Sequence, residues 1–233
     1  MISEPVAGVR RRWRRVRQAL VKAVVIAVAA AVLLVMLFRF VNPPPGIHMI
    51  SERLRLGGIE REWMSLGEMA DDLPLSAAAA EDANFCMHSG FDLDGIRSAL
   101  ADGERLRGGS TISQQVAKNV FLWPGRTWVR KGLEAGFTVL IEALWPKRRI
   151  MEVYLNVAEM GEGVFGVEAA ARHYWKTSAA RLGPQRSARL MAVLPNPRER
   201  SPVSGTRFIL RRSAQIEKGA ATIRADGRAA CFL

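Results

Sequence analysis

Residues 76–92 read SAAAAEDANFCMHSGFD. Alanine is the strongest helix former, so the run predicts a helix carried straight into the adjacent carboxylates Glu81 and Asp82. In that helix Glu81, Phe85 and His88 stand at i, i+4 and i+7 on one face. A carboxylate on an otherwise apolar face is costly to bury, and its presence there asks for a functional reason.

Outward from this helix, the pattern between positions 47 and 202 is mostly helical. Amphipathic stretches are expected near 66–82, 92–102, 111–121, 127–144, 147–155, 165–176 and 184–194. The joints HSGFD, RLRGGS, WPG, WPK, MGEG and LPNP punctuate them. No strand series is long enough for a sheet, although GIHMISERLR, residues 46–55, reads as a short strand or hairpin. The expected class is mainly α.

The first forty-odd residues do not belong to that core. Residues 19–38, ALVKAVVIAVAAAVLLVMLF, are almost unbroken in their apolarity, and a helix of this length spans roughly the 30 Å hydrocarbon layer of a bilayer. RRRWRRVR precedes the run, so the positive-inside rule places residues 1–18 in the cytoplasm and everything after about position 42 outside. The run is longer than the core of a cleaved signal peptide, which favours a retained anchor over residues 19–41. NPPPG, residues 42–46, cannot continue a helix and reads as a stiff spacer.

The formal net charge is +12. Of 34 basic residues seven lie between positions 10 and 22, and of 22 acidic ones Glu4 alone precedes them. The remainder holds 27 against 21, a charge of about +6. On an exported domain that excess fits lipid head groups, diphosphates or acidic wall polymers better than nucleic acid. Cys86 and Cys231 form no metal or redox pattern; one disulfide or two separate buried thiols both fit.

A second informative stretch is RLRGGSTISQQVAKN, residues 105–119. Thr111 and Gln114 make a capping box, and the first turns crowd Gln115, Lys118 and Asn119 beside Ser110. An open helix N-terminus with a lysine one turn in suits a phosphate or a sugar hydroxyl. Further on, Arg130 and Glu134 stand i, i+4 as a surface ion pair would. Glu142 and Glu152 read as solvated helix charges. His48, His88 and His173 are scattered, and no G-x-S-x-G or S-x-x-K occurs, which argues against a serine acyl enzyme.

In order and separation, AAEDANFCMHSGFD, GGSTISQQVAKN, the RK..E of residues 130–134 and YLNVAEMGEGVFGVEAAARHYW resemble the successive motifs of the glycosyltransferase family 51 domain. The likeness covers roughly residues 59–202. The chain stops without a transpeptidase domain, which points within that family to the monofunctional biosynthetic peptidoglycan transglycosylases. The resemblance implies a lysozyme-like helical domain, over residues 47–202, beside a small apolar subdomain that dips into the membrane. It implies a bacterial inner-membrane enzyme, its catalytic domain in the periplasm, that polymerises lipid II into a growing glycan chain without transpeptidase activity.

Carried over by position, Glu81 matches the family's catalytic base, and Asp82, Phe85 and His88 complete its motif. A partly desolvated Glu81 beside Asp82 should have a raised pKa, as a base working near neutrality needs. Glu134 matches the second acid, which orients the donor or helps hold a divalent cation, Mg²⁺ or Mn²⁺, at its diphosphate. Lys118, Arg130 and Lys131 match cations that neutralise the leaving diphosphate. Ser110, Thr111, Gln114, Gln115 and Asn119 match the pocket wall. The family would also bring cell-division or elongation proteins as partners. FLWPGRTW, residues 121–128, reads either as core or as membrane contact. Two features depart from the family pattern: Cys86 beside the base, and the short WPGRTW loop. Residues 203–233 read as a basic helix or tail of unassigned purpose. The rival readings are a lytic transglycosylase or muramidase, and a non-catalytic membrane-tethered wall-binding protein.

Overall fold

The computed structural model describes residues 4–93, 110–125 and 127–233. Helix α1, Glu4–Phe40, belongs to a unit of its own, Met1–Val41, and its stretch Arg12–Phe40 is long and apolar enough to cross a membrane. The remaining residues, Asn42–Leu233, form a second compact unit.

That second unit begins with helix α2, Ile47–Leu56, where a strand or hairpin was expected. The buried positions are Met49 and Glu52, three apart, which is a helical spacing. Prolines precede the helix and Gly57, at φ 76°, closes it in the left-handed conformation. Gly46 at its entry is required by close approach: a Cβ there would lie 2.2 Å from the carbonyl oxygen of Asn119.

A small sheet also forms, contrary to expectation. Strands β1 (Glu60–Arg61), β2 (Glu159–Gly161) and β3 (Val164–Phe165) take the order β1-β3-β2, with β1 parallel and β2 antiparallel to β3. Strands of two or three residues leave almost no alternating pattern to read in a sequence.

The expected helix over 66–82 divides into a 3₁₀ turn, Leu66–Glu68, and helix α3, Asp72–Glu81. Helices α4 (Ile112–Phe121), α5 (Trp128–Leu144), α6 (Lys147–Val157), α7 (Val167–Trp175) and α8 (Pro184–Met191) follow close to their expected places. The stretch expected over 92–102 lies almost wholly outside the described residues. From Ile150 to Val157 every side chain of α6 except Glu152 is buried, so this helix is the hub of the core. Asn156 extends the hub sideways: its amide accepts from Met64 N at 2.9 Å and donates to Met64 O at 2.8 Å.

Two charges expected in solvent are not there. Glu142 accepts from Lys147 Nζ at 2.8 Å and from Ser113 Oγ, with its side chain almost wholly buried. Glu152 accepts from Leu66 N at 2.9 Å and from Arg149. Each carboxylate satisfies donors on another segment, which period along its own helix cannot reveal.

The residues after 202 are part of the same body. Thr206 caps helix α9, Arg207–Ala225, which packs against α3 and α8. The alanines of α3 make this approach possible: a Cβ on Gly219 would sit 3.2 Å from the Cβ of Ala79. Beyond α9, Phe232 is buried 6.0 Å from the ring of Phe85, and Arg148 donates to the carbonyls of Phe232 and Leu233. Cys86 and Cys231 form a disulfide, which decides between the two readings of the cysteines.

Candidate active site

Helix α3 ends at Glu81, and Asp82 occupies its C-cap in a non-helical conformation. The break turns the two neighbouring carboxylates in different directions. Asp82 points inward, with its side chain almost wholly buried. Its Oδ2 accepts from Ile112 N at 3.0 Å and its Oδ1 bonds His88 Nε2 at 2.8 Å. Gly90 N donates to His88 Nδ1 at 3.1 Å, so the proton between His88 and Asp82 is carried on Nε2. Asp82 therefore ties the end of α3 to the start of α4.

Thr111 and Gln114 serve the same joint. Thr111 caps α4 by accepting from Gln114 N, the Gln114 amide accepts from Thr111 N at 3.0 Å, and Thr111 Oγ1 donates to Gly90 O at 2.7 Å. Phe85 is buried under Lys147, whose Nζ lies 4.4 Å from the ring centroid and donates to His88 O. Asp82, Phe85, His88, Thr111 and Gln114, expected at the substrate, form a layer that fixes α3 against α4.

Glu81 is half-buried and faces α4, where Gln115 Nε2 donates to its Oε2 at 2.9 Å. Burial pushes its pKa up. The Gln115 bond and then the positive charges of Arg212 and Lys118 oppose that rise, and the negative Asp82 adds least to it. The direction is the one expected from sequence, but desolvation rather than the neighbouring acid is its main cause.

Gln115 leads into a cavity of about 630 Å³ lined by Ser110, Lys118, Asn119, Arg130, Lys131 and Glu134. Glu134 is 2 % exposed, with Arg130 Nη1 at 3.0 Å from one carboxylate oxygen and Lys131 Nζ on the other. The expected surface pair is thus a buried cluster, because α5 carries it inward against α4. Burial also pushes the Lys118 ammonium below the usual lysine value. Glu134 opposes that shift, Arg130 adds to it, and Glu81 opposes it more weakly. Lys118 thus feels both acids at once and sits between them electrostatically.

Among the described residues, no three His, Cys, Asp or Glu side chains gather closely enough to hold a metal ion. Glu134, the one ligand expected for Mg²⁺ or Mn²⁺, already has a cation on each oxygen. Among the described residues these do not form a protein metal site.

Other residues of the lining were not anticipated. They include His48, Glu159, Trp123, Leu194 and Pro197. His48 Nε2 meets Glu159 Oε2 at 3.1 Å, and Arg198 reaches both Glu159 and Glu52. Nothing local signals a contact between residues 111 positions apart. Arg212, which acts on Glu81 from α9, was missed because its helix had no assigned place.

The family description Transglycosylase matches residues 49–221. A protein of Jannaschia sp. (strain CCS1) is 55% identical over 195 residues, covering 84% of this chain and 81% of its own. One of Rhodospirillum centenum is 50% identical over 228 residues, 96% of both, and one of Caulobacter vibrioides 45% over 221 residues, 94% of this chain and 96% of its own. All three carry the name biosynthetic peptidoglycan transglycosylase. With a match this long, and with the acid, the amide and the cation cluster grouped as described, the chain belongs to the transglycosylase family.

Proposed function

We propose that this protein is a peptidoglycan glycosyltransferase that polymerises lipid II into β-1,4-linked glycan, with Glu81 as its general base. The 4-hydroxyl of the incoming GlcNAc attacks the anomeric carbon of MurNAc at the end of the growing chain. As the new C–O bond forms, its proton passes to Glu81 and the bond to the diphosphate breaks, releasing undecaprenyl diphosphate. Attack from the face opposite the leaving group inverts α to β. A raised pKa makes Glu81 a stronger base near neutrality.

One observation carries this reading: Glu81 shares Gln115 with a cavity that is also lined by Lys118, Arg130 and Lys131. A raised carboxyl pKa alone would equally suit the proton donor of a muramidase. The cations separate the two, because a departing diphosphate needs positive charge where its own negative charge builds, whereas a sugar leaving group needs a proton. Glu134 holds Arg130 and Lys131 in place and keeps their charge from dispersing the cavity wall. The apolar helix α1 is consistent with a single-pass anchor. The disulfide supports placing the body on the oxidising side of the inner membrane, with the N-terminus in the cytoplasm.

The test mixes detergent-purified protein with labelled lipid II. Muramidase-sensitive polymer that is absent for Glu81→Gln is expected. Cleavage of preformed glycan without polymer would replace the reading by the lytic one, and unchanged polymerisation by Glu81→Gln would remove Glu81 as the base.

A further inference from the structure

We propose that Arg212, on the C-terminal helix α9, is a positioning residue for the base: it caps the end of α3 and supplies the counter-charge that keeps Glu81 ionisable. The inference rests on the reading of Glu81 as general base.

The geometry begins with the way α3 ends. Asp82 N donates to Ala78 O, the last helical bond, so the carbonyls that follow have no partner within the helix. No glycine closes the helix, and Asp82 at φ −161° cannot make the left-handed cap. Arg212 Nη2 takes that place, donating to Ala80 O at 3.0 Å, and Arg228 Nη1 donates to Ala83 O at 3.3 Å. Two arginines from the C-terminal segment thus bracket the Glu81–Asp82 pair. Arg212 Nε is buried and, among the described residues, makes no hydrogen bond.

The electrostatics follow from the same placement. The C-terminal end of a helix carries a partial negative charge, and Glu81 sits at that end, half-buried. Both conditions disfavour its carboxylate. The groups that face it are Asp82 on its own segment, Gln115 and Lys118 on α4, Arg212 on α9, and the buried hydroxyl of Tyr154 on α6. Asp82 repels, and Tyr154 is itself pushed well above its usual pKa by burial and by the charge of Glu81 and Asp82, so it brings no positive charge. Two cations remain. Lys118 lines the cavity and is engaged with Glu134 as well. Arg212 is absent from the cavity lining and approaches from behind α3. It can therefore hold the base in its working range while leaving the substrate face free.

The experiment measures rates of lipid II polymerisation from pH 5 to 9 for the full-length wild type, Arg212→Gln, Arg212→Met and Arg212→Lys. A general base gives a rate that rises with pH through its pKa. Removing the positive charge raises that pKa, so the acid limb of both neutral variants should move up by about one pH unit, with much of the alkaline plateau kept. Arg212→Lys should return the midpoint to the wild-type value. Methionine keeps the stem in contact with α3, so either neutral variant that melts above the assay temperature suffices. A lower plateau with an unmoved midpoint would mean that Arg212 only braces the helix, and would overturn the proposal. Failure of the base assignment is recognised separately: Glu81→Gln would then polymerise at the wild-type rate, and the arginine would have nothing to serve.

Discussion

Replacing both Cys86 and Cys231 by serine tests how firmly the C-terminal segment is fastened to the base. The disulfide closes a loop spanning 145 residues, and the loop-entropy relation gives about 5 kcal/mol of stability at 25 °C for a closure of that size. With a urea dependence of about 2 kcal/mol per molar, the unfolding midpoint of the body should fall by about 2 to 3 M. Tryptophan fluorescence of the full chain in detergent, titrated with urea, reads this directly. Reduced wild type and the double serine variant should coincide, because both lack the same constraint. Activity without denaturant should largely survive, since Arg148 still holds the carbonyls of Phe232 and Leu233 and the ring of Phe232 still meets Phe85. A midpoint that moves by less than about 0.5 M would refute the reasoning. So would a loss in reduced wild type that the serine variant does not share.

Glu134→Gln leaves Arg130 and Lys131 without their shared carboxylate; a cost of about 3 kcal/mol in stability is expected from breaking a buried pair, together with a severe fall in polymerisation, and a thermal melt with a lipid II assay checks both. Glu81→Gln should be inactive yet more stable than wild type at neutral pH. The sign follows from linkage: burial raises the folded-state pKa of Glu81, so the folded protein binds more protons than the unfolded one between the two pKa values. Stability is then lost as pH rises through that window. The melting difference between variant and wild type should therefore grow from acid to neutral pH, and a constant difference would contradict it. Lys118→Gln should lower kcat by about 100- to 1,000-fold, as loss of a group that stabilises developing charge does. Steady-state kinetics in which only KM changes would count against that role.

Much of the helical layout is written in local chemistry. Thr111 and Gln114 announce the start of α4, the tryptophan-proline pairs at 123–124 and 145–146 mark the joints around α5, and the alanine run points to the end of α3. The residues that line the cavity from α4 and α5 were legible as motif positions. Depth was not. Arg130 with Glu134 and Lys147 with Glu142 look like ordinary helix-surface charges, because spacing tells which residues share a face and not what lies opposite. The same limit hid the bonds by which Asp82 and His88 join α3 to α4. His48, Glu159 and Arg212 take their roles from partners more than a hundred positions away, and β1 and β3 are too short to announce a pairing that depends on each other.

Glu81, the proposed base, draws its surroundings from the far end of the chain: Arg212 reaches back 132 positions, and Arg228 and Cys231 each reach back 145. Synthesis from the N-terminus delivers residue 81 long before any of these. Contacts of such long range also form late in folding. A chain truncated ahead of α9 would therefore carry Glu81 without the arginine and the disulfide that complete its surroundings.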